Sequence, residues 1–351
     1  LGAGLDDWNG MDVAWSYSTS DEDEHDAVRE AAGLFDVSAL KKIWITGPDA
    51  LAVVDRVATR EMGKVYKGKS VYCPLLTDEG TICDDNIIFH VDDNKYLYVH
   101  GSGQSAARLE EAASGSNAEV RMDDELHDIS LQGPRAVGLL DAHTPVDLEA
   151  LKYFHQVETT LFGRKAILSR TGYSGERGYE IFTDQSDVVH IWQSILDAGQ
   201  SDGVMACSFN CLDKIRIEAA LLFYPYDMSE VNTPWEMGLG WSISRTKADF
   251  MGREALFASE GNEKVKFGGV SCASTTDLLE ADAKLLLNGE EVGTVNSPAY
   301  SHRMKKSLAL VHLRPDVAEG TVLQLRGAEQ SLEVTVEPVP FHDPKKTRTH
   351  A

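Results

Sequence analysis

Basic residues are scarce in this chain: Lys and Arg total 33 against 56 Asp and Glu in 351 residues, a formal net charge of −23. A surface that acidic repels phosphate backbones and anionic lipid heads, which argues against nucleic acid and membranes as partners. It suits a cationic substrate through field focusing. Long apolar runs are missing as well. No stretch approaches the roughly 18–20 residues that span a bilayer, and the start at Leu1 lacks the charged-then-apolar pattern of a secretory signal. A soluble, cytoplasmic protein is the expectation. Only five cysteines occur, Cys73, Cys83, Cys207, Cys211 and Cys272, with no Cys-x-x-Cys pair among them. Such spacing speaks against a disulfide framework or a zinc ribbon and for buried free thiols. The 11 histidines include no His-x-x-x-His spacing, so no metal is expected.

What is present is ordinary for a folded protein: 42% hydrophobic and 25% charged residues. The length exceeds what one hydrophobic core usually serves, so two or three domains are expected. Residues 1–20 carry little pattern. The acidic run 21–24 supplies a negative first turn for a helix through about Leu34. A strand at 42–47, a helix opened by Pro48-Asp49 and an antiparallel meander at 71–76, 81–91 and 95–99 follow, with turns at 78–80 and 92–94. Further elements are a helix at 105–113, strands near Val120 and Ile129, a helix from Pro134, two strands within 165–183 and helices at 188–198 and 212–222. Beyond about Gly261 short strands and turn signals such as Asn288-Gly289 replace helices. The expected organisation is an α+β body in two lobes over 1–245, a linker at 246–261 and a small β-barrel domain over 262–351.

Two familiar patterns fail on context. Gly101-Ser-Gly103-Gln-Ser-Ala106 matches a dinucleotide fingerprint, but the strand before it belongs to an antiparallel meander rather than a parallel βαβ unit. Gly172-Tyr-Ser-Gly175 lacks the last glycine of a nucleophile elbow, Glu176 standing in its place. Acids inside apolar strands are more informative. Asp84 and Asp85 interrupt a run of Ile82, Ile87, Ile88 and Phe89. Neighbours on a strand face opposite sides, so in a covered sheet one of them points inward, where an unpaired charge costs several kcal/mol. Glu180 sits likewise in Tyr179-Glu-Ile-Phe182. The glycine-rich approach 170–178 offers backbone freedom for close approach to a flat ligand, with Tyr173 able to stack. Arg216 and Glu218 are two apart on a helix and need separate partners. Trp235, Trp241 and Phe250 read as core or domain-interface residues.

Taken in order, six blocks resemble the folate-binding aminomethyltransferase family, which includes the glycine-cleavage T-protein, a tetrahydrofolate-dependent dimethylsulfoniopropionate demethylase and folate-dependent O-demethylases. They are 24–38 (EHDAVREAAGLFDVS), 80–85 (GTICDD), 131–134 (LQGP), 170–180 (RTGYSGERGYE), 233–241 (TPWEMGLGW) and 248–256 (ADFMGREAL). The resemblance implies a three-lobed fold with a central hole for tetrahydrofolate and a C-terminal β-barrel. It places the pterin-facing carboxylates at Asp85 and Glu180, aromatic neighbours at Tyr72 and Tyr173, and a folate-proximal arginine at Arg216. Reduced pterin offers ring N–H and amino donors, which carboxylates accept as charge-assisted hydrogen bonds. On this reading Glu180 anchors the pterin and Asp85 lies near the one-carbon unit.

Ala39-Leu40, Cys211-Leu-Asp213 and Tyr224-Pro-Tyr-Asp227 depart from the pattern of glycine-cleavage members. They favour a demethylase moving a methyl group from a small sulfonium, ammonium or ether donor to N5 of tetrahydrofolate. The alternatives are the T-protein reaction, with a lipoyl carrier protein as partner, and a non-catalytic folate-binding protein of iron–sulfur assembly. The stretch 228–238 lacks the cysteine that marks the last group.

Overall fold

Apolar residues on both sides of the central strands require a sheet covered on both faces. The computed structural model describes residues 1–351 and supplies that cover. A hairpin of β1 (Gly4–Trp8) and β2 (Met11–Ser16) precedes α1 (Asp21–Glu30), β3 (Gly33–Asp36), β4 (Lys41–Thr46) and α2 (Ala50–Val57). Then come β5 (Ser70–Leu76), β6 (Ile82–Asp92), β7 (Lys95–His100), α3 (Ser105–Ala113), β8 (Glu119–Met122) and β9 (Leu126–Gln132). Next are α4 (Ala136–Asp141), β10 (Gln156–Leu161), β11 (Arg164–Ser169), β12 (Gly178–Asp184), α5 (Gln185–Gly199), β13 (Met205–Ala206), α6 (Phe209–Glu218) and α7 (Arg253–Ser259). The chain finishes with β14 (Lys266–Cys272), β15 (Lys284–Leu287), β16 (Glu290–Ser301), β17 (Lys306–Leu313), β18 (Val322–Arg326) and β19 (Ser331–Glu337). No helix is long and apolar enough to cross a membrane.

Two sheets form the body, one in the order β5-β6-β7-β4-β8 and the other β10-β11-β12-β9-β3-β13. They meet through Trp44, Phe89, Val91, Leu97 and Val99 of the first and Ile167 and Phe182 of the second. On the outer faces α2 and α3 bury Val53, Val54 and Leu109 against the first sheet, and α5 buries Ile191 and Ile195 against the second. The six C-terminal strands close into a barrel in the order β14-β17-β16-β15-β18-β19, which leaves no open edge. The stretch between body and barrel carries α7, whose Leu256 packs with Leu76, Ile82 and Phe250.

Several local expectations needed correction. The first helix stops at Glu30 and Leu34 belongs to β3. A Cβ on Gly33 would lie 2.3 Å from Val28 Cγ2 and 2.6 Å from Cys207 Sγ, so the chain folds back onto its own helix there. Residues 1–20 hold a hairpin, whose signal was Asn9-Gly10, both residues at positive φ (55° and 80°). The helix expected at 212–222 runs from Phe209 to Glu218, because Ser208 caps it through Cys211 N–H and Ala220 turns the chain at φ 52°.

Gly133, in the 131–134 block, sits at φ 138°, and a Cβ there would lie 2.6 Å from the carbonyl oxygens of both Val28 and Ala31. Gly133→Ala is expected to destabilise the fold by about 2–4 kcal/mol, read as a lower thermal midpoint.

Candidate active site

Asp84 and Asp85 divide between the two faces of β6, as strand geometry demands. Asp84 is fully buried on the helix-covered side, where it accepts from Ser105 Oγ at 2.5 Å and lies 2.8 Å from His100 Nδ1. The turn leading into α3 approaches it so closely that a Cβ on Gly103 would stand 2.6 Å from Asp84 Cβ. That glycine belongs to the dinucleotide-like pattern, and it serves a strand-to-helix turn. Asp85 faces the second sheet. Tyr72 Oη donates to its Oδ2 at 2.9 Å, and no cation is paired with it. Burial first, and the charge of Asp84 second, push the Asp85 carboxyl up to about 7.

Glu180 lies on the inward face of β12, in register between Ser169 of β11 and Ser130 of β9. Its side-chain partner is the Thr171 hydroxyl, which donates to Oε2, and burial pushes its carboxyl up to about 7. Both acids therefore keep acceptor capacity that the protein leaves unused, while positive charge is absent. That vacancy fits the donor-rich edge of a reduced pterin. Tyr173 is half-buried, its hydroxyl donating to Leu222 O at 2.6 Å and Leu221 O at 3.2 Å. Burial raises the Tyr173 phenol well above its usual range, and the Asp85 charge adds to the rise.

The glycines of 170–178 play a role other than the expected one. A Cβ on Gly172 or Gly178 would collide with the Gln132 side chain, at 2.1 and 2.3 Å from its Oε1. They make room for this glutamine instead of for a ligand. Gln132 in turn donates to Ser130 Oγ and Thr171 O and accepts from Ser174 Oγ. The glycine loop is thereby locked to the 131–134 block, and Thr171 is held where it meets Glu180.

Arg216 is buried and heavily committed. Its guanidinium donates to Asp213 Oδ1 (2.7 Å), Asp227 Oδ2, Leu221 O (3.4 Å) and, across the domain seam, Ser297 Oγ (2.9 Å). It thus fixes the 221–227 loop that also receives the Tyr173 hydroxyl. Glu218 faces elsewhere, bonding Arg29 and His25.

Two further residues bear on the site. Trp241, read as a core or domain-interface residue, is 63% exposed and stacks on Tyr72 with centroids 5.8 Å apart and planes 22° from parallel. Arg60 lies over its ring at 5.8 Å. Asp128 is fully buried on the same sheet face as Glu180, with neither carboxylate oxygen paired. Burial, reinforced by the Glu180 charge, pushes its carboxyl well above the usual range. The acid-in-a-strand argument applied to Asp84 and Glu180 covers His127-Asp128-Ile129 equally and would have found it.

Two covered sheets with cation-free carboxylates at their seam and a barrel docked alongside are the architecture of a transferase family, as comparison with known proteins shows. Residues 1–247 match the family model described as the GCVT N-terminal domain, and residues 266–343 match the glycine cleavage T-protein C-terminal barrel domain. The chain belongs to the glycine cleavage T-protein family and is an enzyme of its folate-dependent aminomethyltransferase group. It is 41% identical to the heme-dependent oxidative N-demethylase gamma subunit of Ectopseudomonas mendocina (strain ymp), covering 100% of this chain and 95% of that one. It is 34% identical to the aminomethyltransferase of Streptomyces avermitilis, covering 99% and 95%. The crystal structure of the glycine cleavage system aminomethyltransferase T from Bartonella henselae superimposes with a TM-score of 0.89 at 25% identity, covering 97% of this chain and 94% of that one.

Proposed function

We propose that this enzyme transfers a one-carbon unit to tetrahydrofolate from a small amine whose N-methyl group a separate oxidoreductase has already oxidised by two electrons to the iminium level, and that it releases the demethylated amine. Among the sulfonium, ammonium and ether donors that the sequence leaves open, the N-demethylase relative favours the nitrogen compound. The observation that carries the reading is Asp85: a half-buried carboxyl pushed up to about 7, free of any cation and hydrogen-bonded by Tyr72.

Tetrahydrofolate supplies N5 and N10, nitrogens that take up carbon at the formaldehyde level and shed their protons as they do so. Asp85, ionised, attracts a cationic donor and accepts the proton lost at N5. Protonated, it returns a proton to the departing amine. A group titrating near neutrality serves both duties. Tyr72 orients the accepting oxygen, and Trp241 extends the aromatic wall beyond it. Glu180 accepts from the pterin N–H and amino groups, with Thr171 fixing its rotamer. Tyr173 closes the pocket, while Arg216 acts through the 221–227 loop. Most of the remaining acceleration comes from holding two small molecules in line.

The test is to supply tetrahydrofolate with N-methylated amines, both as such and as their iminium-level oxidation products, and to identify the folate product by mass. Methylenetetrahydrofolate formed from the iminium-level donor faster than in protein-free controls is the expected result, with no methylene product from the unoxidised amine. Methyltetrahydrofolate would instead support direct transfer of the methyl group from an onium donor. Dependence on a lipoyl carrier would support the glycine-cleavage reaction, and no catalysed product in any arm defeats the proposal.

A pH dependence follows from the two raised carboxyls. Each is protonated more readily in the fold than in the unfolded chain, so its contribution to stability is complete below about 4 and is lost as pH rises through about 7. Ligand binding runs the other way, because a charged Glu180 is the stronger acceptor. Tetrahydrofolate affinity is expected to rise between pH 6 and 8, while ligand-free thermal stability falls mainly between pH 4 and 7, both measurable in one pH series of thermal shifts.

A further inference from the structure

A cluster at the seam between body and barrel, away from the carboxylates above, has the makings of a metal site. His25 and Asp26 are neighbours on α1, and His302 lies in the turn joining β16 to β17. One ligand atom from each falls within 4.8 Å of the other two. His25 Nδ1 is 4.0 Å from Asp26 Oδ1, and His302 Nε2 is 3.0 Å from the same oxygen. Zinc bonds of about 2.0–2.1 Å place tetrahedral ligand atoms roughly 3.3 Å apart, a separation that these two distances bracket.

The state of His25 is the second, independent observation. Its ring is 1% exposed and Nδ1 has no partner in the protein. On the other side Nε2 lies 2.9 Å from Glu218 Oε2, a carboxylate that also accepts from Arg29 at 2.7 Å and, through its other oxygen, from Ser301 Oγ at 2.6 Å. An ion-paired carboxylate only accepts, so Nε2 carries the hydrogen and Nδ1 presents a buried lone pair. A carboxylate holding the far nitrogen of an imidazole is the arrangement that orients metal-binding histidines. His302 Nε2 donates to Asp26 Oδ1 at 3.0 Å while its Nδ1 is buried and unpartnered, so metal binding through Nε2 moves that ring's hydrogen to Nδ1. Arg303 is the resident competitor: its Nη1 reaches Asp26 Oδ1 at 2.6 Å and Glu30 Oε1 at 2.8 Å. It can keep Glu30 and yield Asp26.

We propose that His25, Asp26 and His302 bind one divalent transition metal, Zn²⁺ in the first instance, which clasps the barrel turn to α1. Two imidazoles and one carboxylate suit such a metal and disfavour Mg²⁺ or Ca²⁺. Three protein ligands leave a fourth position for water, and the role is structural. Sequence spacing could not show the site, since His302 is remote from His25 along the chain.

The experiment uses the full chain, stripped with chelator and dialysed against micromolar Zn²⁺. The expected result is one Zn²⁺ retained per chain and a thermal midpoint raised by several degrees. Co²⁺ in its place should give the visible bands of a low-coordinate site. His302→Ala lies on a turn and leaves the Glu218 network intact, so it should fold and lose both effects. Arg303→Ala removes the competing cation and should bind at least as tightly as the parent. Absence of zinc retention, or retention and stabilisation undiminished by His302→Ala, would overturn the proposal.

Discussion

Asp85→Asn is expected to lower turnover roughly tenfold to a thousandfold, the scale of losing one electrostatic contact in an enclosed site, with tetrahydrofolate affinity changed much less. The substitution keeps the shape of the side chain and one acceptor for the Tyr72 hydroxyl, but removes the charge and the capacity to take a proton. In the fold Asp85 is an expensive charge, pushed up to about 7 by burial and by Asp84 beside it. Carrying it is useful only where positive charge appears, as it does in a cationic one-carbon donor and at the nitrogen that must shed a proton. The variant should also lose the part of the activity profile that rises through pH 7. Should turnover survive while folate affinity collapses, Asp85 is a pterin anchor and its catalytic role is wrong. Tyr72→Phe, which keeps the ring against Trp241 and removes only the hydroxyl, should give a smaller loss of the same kind.

Glu180→Ala is expected to weaken tetrahydrofolate binding by about 1.5–3 kcal/mol, the worth of hydrogen bonds to a charged acceptor. Calorimetry with the reduced folate measures it directly. Glu180 has the Thr171 hydroxyl as its side-chain partner, so most of its accepting capacity awaits a ligand. The same truncation should leave the ligand-free protein at least as stable at pH 8, because a buried unpaired carboxylate disappears with it. Opposite signs on folate affinity and on ligand-free stability distinguish a binding residue from a packing one. Affinity unchanged by the substitution removes Glu180 from the site.

The identity of the strands was legible because a covered sheet demands apolar residues in short runs and turns demand Asn, Asp and Gly. The meander 71–99 and the β-rich C-terminus follow from that demand, and so does the suspicion that falls on Asp84, Asp85 and Glu180. Boundaries were less legible. Whether α1 continued past Glu30 depended on Cys207, far along the chain, whose sulfur fills the space beside Gly33. The glycines at 172 and 178 could not be assigned to a neighbour, since Gln132 reaches them from another strand.

By itself, then, the sequence determined which residues are chemically out of place: acids in apolar strands, an arginine in an apolar helix, aromatic rings near both. Only the tertiary structure decided which of these are spent on the protein and which keep unused bonding capacity. Asp84 is satisfied by the Ser105 hydroxyl and N–H and the Asp85 N–H, and Arg216 by Asp213, Asp227 and Ser297, whereas Asp85 and Glu180 keep free acceptor capacity. Trp241 was placed at the surface beside Tyr72 by the same packing. The physical reason is that burial and hydrogen-bond satisfaction depend on partners scores or hundreds of residues away. A strand's alternation says that one of two adjacent acids faces inward, but the opposite sheet decides what that acid meets.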